Sequence, residues 1–201
     1  MKQIALLLTF ICSFAYSQKN NILERLQALD NNGKIWYNID GYSITSEIFK
    51  YNFDEKGLKK VLKKHSIKDN SRVKDENINT NNLYFLTTEK VADNLFQRNS
   101  FYIVENQDKK IIVIWFTKTG EIDRETERKL ANLIIENKIP KENFATMQTE
   151  KINFGGREIE LGNNCYWTFL NNVQCPYFGQ MNWSVHKDLQ DAKNSVEINL
   201  L

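Results

Sequence analysis

The chain has 201 residues, a formal net charge of +2, 41% hydrophobic residues, 12% aromatic residues and 26% charged residues. This composition is typical of a folded globular protein, which excludes a disordered or low-complexity chain. The near-neutral charge predicts no global field toward nucleic acid or a membrane surface.

The N-terminal segment has the pattern of a secretory signal peptide spanning residues 1–17. It carries one early positive charge at Lys2, an uncharged apolar run over 4–14, and small residues three before and one before a cut after Ser17. The apolar run is shorter than the roughly 20 residues that a bilayer-spanning helix needs. We therefore expect export with cleavage, leaving residues 18–201 as one domain in the periplasm or outside the cell.

Later segments carry no sign of a membrane span, because none is long and apolar enough to cross a bilayer. Asn, Lys and Ile are abundant. This bias fits an AT-rich bacterial genome, and we attach no function to it.

Two elements are predicted at the start of the domain. A helix over 22–29 is indicated by apolar residues at helical spacing. Asp40 and Gly41 then form a two-residue turn that needs positive φ at both positions, which predicts a hairpin. Its register pairs Ile39 with Tyr42 and gathers apolar side chains on one face.

A basic helix is predicted from its cap, Asp54, to about His65. Its polar side carries the lysines Lys56, Lys59, Lys60, Lys63 and Lys64, with Lys68 just beyond. One interpretation is a site for an anionic partner such as lipopolysaccharide, nucleic acid or an acidic protein. The favoured interpretation is a solvated helix face, because no aromatic residue or arginine is interleaved for stacking or bidentate contact.

The middle of the chain alternates between polar and apolar segments. Residues 67–82 are polar and aperiodic, which predicts a surface loop open to disorder or proteolysis. After a short strand, Thr88 is placed to cap a helix that reaches about Phe96. A second hairpin follows, and its strand over 111–116 is apolar at every position, which predicts a central strand covered on both faces.

The longest helix is predicted from Asp123 to about Lys138. Its acidic first turns match the helix macrodipole, and the glycine and ligand spacing of a calcium loop is missing. Residues 151–161 then predict a third hairpin, turning at Gly155 and Gly156.

Cys165 and Cys175 are the two cysteines that remain after removal of the signal peptide. An even number of cysteines in an exported chain predicts a disulfide bond. The bond closes a loop of eleven residues, for which chain entropy gives about 2.5 to 3 kcal/mol of stabilisation. If the strands pair about Leu170, the two cysteines lie directly opposite each other. Their spacing matches no common zinc-ligand pattern, so no metal site is predicted.

Residues 163–186 are dense in aromatic side chains, and 179–186 alternate as a strand does. Large aromatic rings beside polar side chains are typical of surfaces that bind a sugar, a peptide or a protein. The competing interpretation is that the rings wrap the disulfide and the core. The candidate binding residues are Tyr166, Trp167, Tyr177, Asn182, Trp183, Ser184 and His186.

No catalytic constellation is visible in the sequence. Ser184 and His186 share a strand face, but a separation of two along a strand puts them roughly 6 to 7 Å apart, too far for a direct hydrogen bond. No phosphate-cradling glycine loop, HExxH motif or paired CxxC motif is present. We therefore predict no catalytic residues, no cofactor and no nucleic-acid partner.

Together these elements predict an α+β fold. A mainly antiparallel sheet built from hairpins would carry three or four helices and one disulfide, and a short helix from about Asp188 with an alternating tail over 196–200 would close the sheet. The predicted function is that of an exported, soluble, non-catalytic binding domain. The alternatives are a small secreted hydrolase, whose acidic residues meet only in three dimensions, and a secreted toxin or inhibitor.

Overall fold

The computed structural model describes residues 21–196 except 32, 70, 71, 93, 94, 155, 156, 178, 187, 191, 194 and 195. The predicted signal peptide lies outside the described residues. Within the described part of the chain, no helix is long and apolar enough to span a bilayer.

A larger sheet of six strands forms the body of the fold. Its strands are β1 Gln27–Asn31, β2 Lys34–Ile39, β3 Tyr42–Asn52, β4 Asn82–Ala92, β5 Leu95–Glu105 and β6 Lys110–Thr119. They lie in the order β1-β2-β3-β6-β5-β4, and every neighbouring pair is antiparallel. β6 therefore has a strand on each side, which confirms its predicted central place.

A smaller antiparallel sheet has four strands. They are β7 Gln148–Phe154, β8 Arg157–Phe169, β9 Asn172–Cys175 and β10 Gly179–Asn182, in the order β10-β9-β8-β7. The helices with described bounds are α1 Ile22–Arg25, α2 Glu55–Lys64 and α3 Arg124–Ile135, and a 3₁₀ turn spans Lys141–Asn143.

The fold is mainly β, and the predicted α+β class is wrong. Strands make up 51% of the structure and helices 21%, and the helices are short. Helix α1 ends at Arg25 and the chain continues as β1, where Leu29 is buried. The predicted helix from Thr88 to Phe96 lies instead in β4 and β5. Both errors have one cause, since a few apolar residues at helical spacing also fit a strand once a neighbouring strand is available.

Apolar residues on both faces of the larger sheet hold the fold together. Ile111 and Val113 of β6 pack with α2, whereas Ile112 and Ile114 pack on the opposite face with α3. This alternation follows from the period of two along a strand. Burial of each such side chain contributes about 1.5 to 3 kcal/mol. Two helices on opposite faces therefore close a two-sided core.

The predicted turn at Asp40 and Gly41 is confirmed. Both residues have positive φ, at 48° and 80°, and the register pairs Ile39 with Tyr42 as expected. This hairpin places the ends of β2 and β3 beside the smaller sheet.

The described residues over 67–81 form no helix and no strand of either sheet, as predicted for a loop, but the segment is anchored to the rest of the fold. Ile67 and Ile78 are buried, and Asp75 is only 4% exposed. The Asp75 carboxylate accepts hydrogen bonds from Arg124 and Arg128 of α3. The anchor depends on a helix about fifty residues away in the chain, which local sequence patterns do not reveal.

The smaller sheet contains the predicted disulfide bond. Cys165 and Cys175 are bonded, with their Cα atoms 4.2 Å apart. Tyr166 pairs with Gln174 in the β8–β9 register, so the two cysteines lie opposite each other as expected. The third hairpin also keeps its predicted register, with Ile152 opposite Ile159.

The C-terminal end agrees only in part with the prediction. Helical residues follow Asp188, whose carbonyl accepts from the N–H of Ala192 at 3.2 Å. Val196 is helical too, so it does not begin the predicted alternating strand. The remainder of that tail lies outside the described residues.

Candidate functional site

A groove of about 340 Å³ opens between the two sheets, and we call it the intersheet groove. The larger sheet contributes Trp36, Tyr37, Asn38, Gly41, Ser43, Thr45, Lys118 and Thr119. The smaller sheet and the segment after it contribute Phe169, Leu170, Asn171, Asn182, Trp183, Ser184, Val185 and His186. The groove thus combines aromatic rings with amide and hydroxyl groups.

Strand alternation explains how Trp36 reaches the groove. Its neighbour Tyr37 is 3% exposed and belongs to the core that packs with α3. Successive side chains on β2 point to opposite faces, so Trp36 faces away from that core. Its partner on β3 is Thr45, which also lines the groove.

Trp183 forms the facing wall and is held by other aromatic rings. Its ring centroid is 5.7 Å from that of Trp167 and 6.1 Å from that of Phe154. Phe169 lies on the same side and is 46% exposed. Trp183 is therefore a rigid wall, and Phe169 leaves much of its ring open to a ligand.

Asn171 is the most unusual polar residue of the intersheet groove. It lies in the turn between β8 and β9 with φ of 59°, a conformation that Asn adopts more readily than most residues. The residue is 3% exposed, and its side-chain Oδ1 has no hydrogen-bond partner. Buried polar atoms are nearly always paired, so an orphan acceptor in a groove wall needs an explanation.

Ser184 and His186 form a direct hydrogen bond, contrary to the predicted separation. The distance from His186 Nε2 to Ser184 Oγ is 2.8 Å. The expectation assumed that the strand continued through His186, whereas β10 ends at Asn182. Beyond that residue the chain bends free of strand geometry, and the two side chains meet.

His186 also packs closely against the turn of the β2–β3 hairpin. A Cβ atom added to Gly41 would lie 3.4 Å from His186 Nδ1. Gly41 therefore satisfies the positive φ of the turn and leaves room for the imidazole. Among the hydrogen bonds of the described residues, none joins His186 to a carboxylate.

Lys118 is the one formally charged side chain among the described residues that line the intersheet groove. Lys118 is 7% exposed, and its ammonium lies 5.0 Å from the centroid of the Tyr42 ring. No aspartate or glutamate is found among the described lining residues. Burial raises the pKa of Tyr37 to about 12, so its phenol stays neutral at physiological pH. The described lining of the groove therefore offers no carboxylate to a cationic ligand.

The structure brings together four of the seven predicted binding residues. Asn182, Trp183, Ser184 and His186 line the intersheet groove. The other three lie elsewhere: Trp167 packs in the core of the smaller sheet, and Tyr166 and Tyr177 are exposed outside the groove.

Sequence reasoning missed Trp36, Phe169 and Asn171. One signal was available for Trp36, which stands out of phase with the apolar face of its predicted hairpin. The burial of Asn171 depends on packing between the sheets and leaves no mark in the local pattern.

In the part of the chain that the structure describes, no group of three or more His, Cys, Asp or Glu side chains is placed to hold a metal ion. No protein-family model, curated protein or solved structure matches this chain. The geometry of the intersheet groove is therefore the main structural evidence on function.

Proposed function

We propose that this chain is an exported, non-catalytic binding domain whose intersheet groove takes a neutral oligosaccharide. The observation that carries the proposal is the groove lining, which sets the rings of Trp36, Trp183 and Phe169 beside amide groups, among them Asn171, whose covered Oδ1 has no hydrogen-bond partner. Leaving a buried acceptor unpaired costs about 1 to 3 kcal/mol. Asn171 Oδ1 is covered in the ligand-free protein, so a ligand that turns this side chain toward the groove and donates a hydrogen bond to Oδ1 would recover that cost.

The other lining groups favour a sugar over an apolar ligand. A pyranose has a flat face of C–H groups and a rim of hydroxyls. Trp36, Trp183 and Phe169 supply aromatic surface for the flat face, and amides such as Asn38 and Asn182 lie beside them for the hydroxyls. The volume of about 340 Å³ falls in the range of small-ligand sites, roughly 300 to 1,000 Å³.

The disulfide supports the proposed location. The bond between Cys165 and Cys175 is consistent with an oxidising compartment, where such bonds form and persist. This consistency supports our proposal that the protein works in the periplasm or outside the cell. The test is the mass of the protein recovered from the exported fraction. This mass should correspond to a chain that begins at Gln18.

A fluorescence titration tests the binding proposal, since Trp36 and Trp183 both line the groove. The probes are malto-, cello- and chito-oligosaccharides, with short peptides as the comparison set. We expect one oligosaccharide series to change tryptophan emission with saturation. Saturable binding of the peptides alone would overturn the sugar assignment and keep the groove as a binding site. No saturable response from either set would overturn the proposal.

A small hydrolase is the second candidate, and one observation favours it. The Ser184–His186 hydrogen bond of 2.8 Å joins a nucleophile to a base at the groove. A third group usually orients the base in such a pair, and the described residues provide no carboxylate bonded to His186. For this reason we rank hydrolysis below binding.

A further inference from the structure

Helix α2 presents a row of lysines to solvent, which we call the lysine face. It consists of Lys56, Lys59, Lys60, Lys63 and Lys64, all exposed. The opposite side of the helix buries Leu58, Val61 and Leu62 against the larger sheet. The lysine face is therefore held rigidly at the surface, and the apolar side is not free to insert elsewhere.

Most of these lysines form no ion pair with the described residues. Lys64 pairs with Glu47 at 2.6 Å, but within the described residues no ion pair is formed by Lys56, Lys59, Lys60 or Lys63. The nearby acids Glu55 and Asp69 both bind Arg72, which leaves this group of three with one negative charge, fewer than the positive charges of the lysine face.

The spacing of the lysines has an energetic cost within the helix. Lys56 and Lys60, like Lys59 and Lys63, are four residues apart and so lie next to each other on the helix surface. Like charges at this spacing destabilise a helix. An external anion would relieve the repulsion, which points to a partner with many negative charges.

Aromatic rings support the lysines from below, contrary to the sequence-based expectation that none is interleaved. Lys60 Nζ lies 4.5 Å from the Tyr51 ring centroid, and Lys64 Nζ lies 4.4 Å from that of Phe49. The ammonium groups cover these rings, so the rings are not open for stacking with bases. Ile48, 62% exposed, lies in the same region of β3.

We propose that the lysine face binds the surface of an anionic phospholipid bilayer. The row from Lys56 to Lys64 is about 12 Å long, at 1.5 Å per helical residue. Lysines act as point charges without the bidentate geometry of arginine, so they suit mobile lipid headgroups better than a patterned nucleic acid. Binding would be peripheral and electrostatic, since the apolar side of α2 is already buried. This proposal is independent of the intersheet groove.

Vesicle sedimentation with the full chain tests the proposal. The probes are vesicles of phosphatidylcholine alone and of phosphatidylcholine mixed with phosphatidylglycerol. We expect binding to the mixed vesicles only, and we expect added salt to weaken it because screening shortens the range of the attraction. The double variant Lys59→Gln with Lys63→Gln should bind about 25-fold more weakly, since each lysine near an anionic surface contributes about fivefold.

The matched control is Lys141→Gln with Lys193→Gln, which removes the same charge from exposed lysines outside the lysine face. It should bind as the wild type does. An equal loss in both double variants would overturn the proposal, because net charge alone would then explain binding. Equal binding to neutral vesicles would overturn it as well. Binding of a single-stranded DNA oligonucleotide without binding of mixed vesicles would also overturn the proposal. If circular dichroism shows that the test variant is unfolded, Lys56→Gln with Lys60→Gln replaces it and is compared with the same control.

Discussion

The backbone N–H of Trp183 donates a hydrogen bond of 3.0 Å to the carbonyl oxygen of Asn171. This bond ties the segment after β10 to the turn between β8 and β9, and both residues line the intersheet groove. The carbonyl of Asn171 is thus paired while its side-chain Oδ1 is not. The backbone of the turn is therefore held in place, while the covered side-chain acceptor has no partner in the ligand-free protein.

Replacement of Asn171 by glycine should abolish ligand binding without unfolding the protein. Glycine accepts the φ of 59° and removes the orphan acceptor. We expect the free energy of unfolding to change by less than about 1 kcal/mol, because the cost of an unpaired buried group disappears with the side chain. Asn171→Asp keeps an acceptor and is the control. Unchanged oligosaccharide affinity in Asn171→Gly, measured by calorimetry, would show that Asn171 takes no part in recognition.

Replacement of Trp36 by alanine should weaken oligosaccharide binding by about 1 to 3 kcal/mol, since a partly exposed aromatic wall of the groove is lost. Tyr177→Ala is the control, because that ring is fully exposed outside the groove. Calorimetric titration of both variants with the same sugar measures the difference. A larger loss in Tyr177→Ala would place the ligand elsewhere.

Wild-type protein should hydrolyse p-nitrophenyl acetate no faster than Ser184→Ala does. The reason is that His186 lacks a carboxylate partner among the described residues to hold its orientation. Ser43→Ala is the control, since it removes a different hydroxyl from the same groove. Turnover that disappears in Ser184→Ala and persists in Ser43→Ala would favour the hydrolase instead.

Asp75 should make the protein sensitive to acid. Burial tends to raise the pKa of Asp75, but hydrogen bonds from Arg128 and Asn77 outweigh it and hold that pKa below its usual value. A carboxyl of this kind contributes stability above its unfolded pKa of about 4 and loses it as the pH falls through the folded pKa. Asp75→Asn should therefore lower the free energy of unfolding by about 2 kcal/mol at neutral pH. In acid, the free energy of unfolding of the variant should depend less on pH than that of the wild type.

Urea unfolding of the wild type and of Asp75→Asn at a series of pH values measures this difference in the free energy of unfolding. The contribution of Glu127 to stability changes with pH in the opposite direction to that of Asp75, because burial raises the pKa of Glu127. The stability from its neutral form is present below its unfolded pKa and decreases as the pH rises through the folded value. Parallel stability curves for wild type and Asp75→Asn would contradict the assignment to Asp75.

Removal of the disulfide should destabilise the protein without changing its fold. Cys165→Ala with Cys175→Ala should lower the free energy of unfolding by about 2.5 to 3 kcal/mol, because the unfolded chain gains the freedom of the opened loop. Urea unfolding at neutral pH measures the loss. Reduced wild-type protein is the control and should show a similar value. An unchanged free energy would mean that the bond carries no net stabilisation.

Local chemistry in the sequence was sufficient to predict each element whose conformation depends on residues close to it in the chain. Asp40 and Gly41 specify a turn because few residues accept positive φ at both positions. Asp54 caps α2 because its carboxylate accepts from the N–H of Gly57 at 2.7 Å. The two cysteines met because the hairpin that contains them brings them opposite each other.

Tertiary structure decided the elements whose stability comes from distant partners. The chain from Thr88 to Phe96 satisfies the spacing of a helix, yet pairing with β6 draws β5 into the sheet. Asp75 looks like a loop residue until α3 supplies its arginines.

The sequence by itself determined the turns, the basic helix and the disulfide, because each depends on neighbours in the chain. Only the tertiary structure decided that the protein is mainly β and that Asn171, with its unpaired Oδ1, lines the same groove as Trp36. The physical reason is that a side chain becomes buried only when distant parts of the chain, here the two sheets, pack around it.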